Sequence, residues 1–73
     1  MNSFERRNKI VDLVNAQGSV MVQDLSNLFG ISEVTIRTDL RLLEEKGLVT
    51  RFHGGAAKPG SNLAESENQE VIL

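Results

Sequence analysis

Arg37 and Arg41 stand four residues apart, about one turn of a helix, with Val34, Thr35 and Thr38 close by in the sequence. A guanidinium can donate two hydrogen bonds to guanine O6 and N7, or it can grip a phosphate. Threonine offers a methyl group to thymine or a hydroxyl to phosphate, and valine offers apolar contact alone. On one exposed helical face, these side chains form a surface suited to base-pair edges. Further on, Arg51-Phe52-His53-Gly54-Gly55 is a second basic stretch, whose glycines suit a tight loop.

Whether the first group shares a face depends on the helix that carries it. At about 100° per residue, Ile36, Leu40 and Leu43 fall within roughly 60° of arc and make a stripe for burial. Val34, Thr38 and Arg41 lie opposite, flanked by Thr35 and Arg37. Ser32 is placed as the N-cap, and its hydroxyl beside the helix N-terminus also suits a phosphate. The helix runs through Lys46 and ends at Gly47, a residue suited to the left-handed position. Arg41 has a competing role, an exposed i,i+4 ion pair with Glu45 worth roughly a few tenths of a kcal/mol.

The elements before this helix set its context. Ser3 is expected to cap a first helix ending at Gln17, with Gly18 as its stop and Ile10, Leu13 and Val14 on its inner face. Phe4 and Val11 widen that stripe, and the basic residues Arg6, Arg7 and Lys9 are expected on a solvated face. Ser19-Val20-Met21 suits a brief edge strand. A second, short helix starts at Val22, with Leu25, Leu28 and Phe29 at helical spacing and Gly30 as its stop. No Ser, Thr, Asp or Asn precedes it as a cap, so its start must rest on tertiary contacts. Ile31 is placed to drop into the core and fix the corner between the second and third helices.

After the third helix, Leu48 to Phe52 reads as a strand. Gly54-Gly55 permits the positive φ of a reversal into Ala56-Ala57-Lys58, which makes a small hairpin. The tip of that hairpin, including Arg51, His53 and Gly54, is placed to reach a flanking nucleic-acid backbone or minor groove. Pro59 and Gly60 end it. The expected fold is mainly α: a winged helix-turn-helix of three helices and a hairpin wing over residues 1–60, followed by an acidic linker or disordered tail over residues 61–73. The apolar residues Val71-Ile72-Leu73 close the chain, as expected ahead of a further element.

Composition narrows the function classes. The 73 residues contain no cysteine and one histidine, His53, so thiolate chemistry and cysteine-based metal sites are excluded, and no metal or cofactor is expected. No apolar run approaches the ~20 residues of a membrane span, and no signal-type block follows the N-terminal charges, which points to the cytoplasm. The net charge of −2 argues at first against nucleic acid. All eight Lys and Arg, however, lie within residues 1–60 beside seven acids, while Glu65, Glu67 and Glu70 make the tail acidic. A body so near neutral leaves position to decide, and it keeps a winged-helix protein-protein adaptor as the alternative. An enzyme is not expected, since no activated nucleophile, phosphate-cradling loop or paired carboxylate is evident.

The run Ser32-Glu33-Val34-Thr35-Ile36-Arg37-Thr38-Asp39-Leu40 and the later Arg51-Phe52-His53-Gly54-Gly55-Ala56 resemble the DeoR family of bacterial repressors over residues 4–60. The resemblance extends to the opening Glu5-Arg6-Arg7, the Gly18-Ser19-Val20 step and the Asp24-Leu25 helix. Thr38 departs from the pattern, because many members carry a second Arg there. The resemblance implies a repressor of sugar or sugar-alcohol catabolic genes that binds double-stranded operator DNA. It also implies a larger C-terminal domain, absent from these residues, that binds a phosphorylated sugar and assembles a homo-oligomer.

Overall fold

A computed structural model describes residues 1–60, and the expected acidic segment 61–73 lies outside the described residues. The chain order is α1 (Ser3–Gln17), β1 (Ser19–Met21), α2 (Val22–Phe29), α3 (Glu33–Glu45), β2 (Thr50–Phe52) and β3 (Gly55–Ala57). This is the expected winged helix-turn-helix, with one addition. The wing strands do not stand alone: β3 lies between β1 and β2 in an antiparallel three-stranded sheet, with Val20 opposite Ala56 and Arg51 opposite the same residue on the other side.

The cap of α1 is Asn2 rather than Ser3. Asn2 Oδ1 accepts the Glu5 N–H at 2.8 Å while Glu5 Oε1 accepts the Asn2 N–H at 3.0 Å, a reciprocal box that satisfies two backbone donors. Ile10 and Val14 are fully buried, but Phe4 is 66% exposed and does not widen the stripe toward the core. Gly18, at φ +90°, ends the helix with its N–H on the Val14 carbonyl.

The uncapped start of α2 is resolved by the wing. The Val22 N–H donates to the Gly54 carbonyl at 2.8 Å, so the turn between β2 and β3 supplies the acceptor that no local side chain provides. Val22 and Leu25 are buried, whereas Leu28 at the same spacing is exposed. The corner to α3 turns at Gly30 in the left-handed conformation, with the N–H groups of Gly30 and Ile31 both on the Ser26 carbonyl. The Ser26 hydroxyl returns a hydrogen bond to the Ile31 carbonyl. Ile31 packs against the core without being fully enclosed.

Ser32 caps α3, its Oγ accepting the Thr35 N–H at 3.2 Å. At the other end Gly47 has φ +78°; its N–H reaches the Glu44 carbonyl and the Leu48 N–H reaches the Leu43 carbonyl, each at 2.9 Å. These two bonds form a Schellman motif. They hold Leu48 in the turn, so β2 starts at Thr50, two residues later than the sequence suggests, and Val49 is buried on the way. Ile36, Leu40 and Leu43 meet Ile10, Val14, Val20, Val22, Leu25, Val49 and Ala56 in a single aliphatic core. Burying each Leu or Ile contributes roughly 1.5–3 kcal/mol relative to exposure. No helix among the described residues is long and apolar enough to cross a membrane.

Candidate nucleic-acid interface

The burial of Ile36, Leu40 and Leu43 turns the opposite side of α3 outward. Val34, Arg37, Thr38 and Arg41 are all exposed, Val34 by 69%. A valine so exposed near the start of a well-packed helix contributes nothing to the core and is free for contact with another molecule. Thr35 is half-buried, sharing a 3.0 Å hydrogen bond between its hydroxyl and that of Ser32. The Thr38 hydroxyl donates back to the Val34 carbonyl at 3.1 Å, leaving its methyl group on the surface.

The wing joins this face. Val34, Arg37, Thr38, Arg41 and Arg51 line a shallow groove of about 210 Å³. Arg37 and Arg51 also border a larger concavity together with His53, Gly54 and Gly55. Of the sequence-predicted residues, Val34, Arg37, Thr38, Arg41 and Arg51 thus surround one groove, and His53 and Gly54 stand at its neighbour. Ser32 and Thr35 lie at the N-terminal end of α3, outside both.

The arginines differ in what holds them. Arg37 Nη2 donates to Glu33 Oε1 at 2.9 Å one turn earlier. The pair expected as the competing role of Arg41 with Glu45 does not form, and Arg41 has no ion pair among the described residues. Arg51 is held by Glu44: its backbone N–H donates to Oε2 at 3.0 Å and its Nε to Oε1 at 2.9 Å. Those bonds, the backbone one foremost, hold the Glu44 carboxyl below its ordinary pKa.

Two of the cations assigned to a solvated face are not on one. Arg6 Nε and Nη2 donate to Asp39 Oδ2 at 2.5 Å and Oδ1 at 3.1 Å, and Arg7 Nη1 donates to Oδ1 at 3.3 Å. The Asp39 side chain is only 2% exposed, and those of Arg6 and Arg7 are 13% and 25% exposed. The Arg6 pKa is raised, chiefly by its hydrogen bond to Asp39 and against the opposing effect of burial. This arrangement joins α1 to the helix that carries the exposed face. A signal for it exists in the sequence: Asp39 lies only about 60° from Ile36 around the helix, beside the buried stripe, where a carboxylate that is covered must find a cation.

The Gly54-Gly55 pair also divides differently from expectation. Only Gly54 has a positive φ, +86°. Gly55 is required by proximity, because a Cβ there would stand 2.2 Å from the Val20 carbonyl oxygen and 2.8 Å from Phe52 Cζ. The basic, glycine-containing wing is thereby pressed against β1 and set beside α3.

A family model described as the DeoR-like helix-turn-helix domain matches residues 6–62. The chain belongs to that family. The match spans both halves of the interface, α3 and the wing, and makes this a DeoR-like helix-turn-helix; the adaptor reading is not favoured. Among curated relatives of this DeoR-like chain, the "Putative galactitol utilization operon repressor" of Escherichia coli (strain K12) is 69% identical over 71 residues, covering 97% of this chain and 63% of the relative. The "Putative aga operon transcriptional repressor" of Escherichia coli O157:H7 is 54% identical over 52 residues, 71% of this chain and 19% of the relative. The "Glycerol-3-phosphate regulon repressor" of Escherichia coli (strain K12) is 44% identical over 63 residues, 86% of this chain and 25% of the relative. The DeoR-like chain therefore spans less than two thirds of the length of each of these relatives. No solved structure gives a significant match.

Proposed function

We propose that this chain is the operator-reading part of a transcriptional repressor of a sugar or sugar-alcohol operon, acting in the cytoplasm on double-stranded DNA. In this reading α3 enters the major groove, where Arg37 and Arg41 donate to guanine or phosphate and Val34, Thr35 and Thr38 supply methyl and hydroxyl contacts. Ser32 and the N-terminus of α3 take a phosphate, and Arg51, His53 and Gly54 follow the flanking backbone. The observation that carries the reading is the single groove lined by Val34, Arg37, Thr38, Arg41 and Arg51, which unites the exposed helix face with the wing. Residues 1–60 serve as the DNA-binding domain and residues 61–73 as a linker. In the longer protein a further domain binds a phosphorylated sugar and forms the homo-oligomer. Galactitol metabolism is the favoured pathway, on the strength of the 69% identity to the relative named for it.

The test is titration of the 73-residue chain into a labelled duplex recovered from a random library, at several salt concentrations, beside Arg37→Ala/Arg41→Ala confirmed as folded by circular dichroism. The expected result is sequence-selective binding that weakens steeply with salt and is lost in the double variant. Equal binding by the variant, or affinity indifferent to salt, would refute the assignment of α3 as the reading element.

A further inference from the structure

Glu44 presents an apparent contradiction. It is an acid on the DNA-facing side of the molecule and lines the concavity shared by Arg37, Arg51, His53 and Gly54. A carboxylate there repels phosphates, so at long range its removal should strengthen binding. Its geometry points the other way. The two carboxylate oxygens divide between the backbone N–H and the Nε of Arg51, fixing both the wing backbone and the side-chain direction from one residue of α3. The Arg51 Nη groups are left without a partner among the described residues, and Arg51 lines the groove with Arg37 and Arg41.

We propose that Glu44 is a positioning residue, which locks the wing to α3 so that Arg51 joins Arg37 and Arg41 as a third guanidinium around the groove and takes a phosphate of the DNA backbone. The proposal rests on the DNA-binding reading. One carboxylate near the duplex is tolerated because it directs a cation whose exposed side chain would otherwise swing freely from β2. Loss of one phosphate contact lowers the slope of log affinity against log salt by about 0.9, which amounts to about eightfold in affinity at ~0.1 M monovalent salt.

Glu45 provides the control. It is exposed, makes no ion pair or side-chain hydrogen bond among the described residues, and carries the same charge one position further along. Binding of the 73-residue chain to a mixed-sequence duplex would be measured across a salt series for wild type, Glu44→Gln, Arg51→Ala, the double variant and Glu45→Gln, each confirmed as folded. Glu44→Gln and Arg51→Ala should each lose about eightfold in affinity and about 0.9 in slope, and the double variant should bind no more weakly than either. Glu45→Gln should bind as wild type or slightly better. Glu44→Gln binding as tightly as Glu45→Gln, or losses that add in the double variant, would overturn the positioning role and leave the DNA reading intact. A folded wild-type chain with no salt-dependent binding would overturn both.

Discussion

Replacing Asp39 with alanine should destabilise the domain more than any change on its exposed face. The carboxylate is 2% exposed and receives three hydrogen bonds, two from Arg6 and one from Arg7. Removing one member of a buried pair strands the other, at a cost of about 3–5 kcal/mol. The Arg6 side chain retains 13% exposure and can recover some hydration, so the lower end applies, about 3 kcal/mol. A domain of this size has roughly 3–9 kcal/mol of stability in total, and each kcal/mol shifts its midpoint by about 4–8 °C. Asp39→Ala should therefore lower Tm by about 12–24 °C in thermal unfolding followed by circular dichroism. Arg6→Ala should match it within about 1 kcal/mol, while Arg7→Ala, which removes one 3.3 Å contact from a more exposed side chain, should cost about 1 kcal/mol or less. Joint replacement by Arg6→Met and Asp39→Leu should restore most of the stability, because only Arg7, the more exposed of the two arginines, then loses its partner. A loss below about 1 kcal/mol for Asp39→Ala is the range of an exposed ion pair, and it would refute the claim that this contact ties α1 to α3.

Gly55→Ala should lower the unfolding free energy from urea titration more than Gly54→Ala, by about 3 kcal/mol against about 1–2, since a backbone carbonyl 2.2 Å away cannot yield while a left-handed φ can be adopted under strain; the reverse order would contradict the packing of β3 on β1. Leu40→Asp should unfold the chain by burying an unpaired charge, whereas Thr38→Asp should stay within about 0.5 kcal/mol of wild type and abolish duplex binding, as read by circular dichroism and titration together. The Glu44 carboxyl has a depressed pKa in the folded state, so its anchoring contributes stability above the unfolded carboxylate value and is lost as pH falls through the folded one. The amide proton shift of Arg51 should consequently stay flat around neutrality and titrate only below the ordinary carboxylate range; movement near neutrality would assign the anchoring to another group.

The helices, their approximate ends other than the start of α2, and the outward face of α3 are legible in the residues alone, because each rests on interactions within a few positions of the chain. The stripe Ile36, Leu40 and Leu43 follows from helical period, and Ser32, Gly30 and Gly47 act through their own backbone neighbourhood. Exposure of Val34, Arg37, Thr38 and Arg41 is then a geometric consequence. The cap of α1 is Asn2 where Ser3 is expected, because both are good capping residues and the reciprocal bond to Glu5 selects Asn2. Phe4 and Leu28 match the helical period yet are exposed, because among the described residues no element packs over them closely enough to cover them; periodicity marks a face and does not supply its partner.

Tertiary structure alone decided which distant groups complete one another. Arg6 and Asp39 are 33 residues apart, Val22 begins its helix on the Gly54 carbonyl, and β3 inserts between β1 and β2 to press Gly55 on Val20. None of the partners has a local signature, because a buried carboxylate, an uncapped helix and a close-packed glycine each state a need without naming the residue that meets it. The groove shows the same division. Sequence placed Arg37 and Arg41 on one helix face, and only the fold brought Arg51 to it and set Glu44 to hold that arginine there. Local order follows from steric and hydrogen-bonding rules that act over a turn of chain, whereas a site shared by helix and wing exists only once the aliphatic core has fixed their distance.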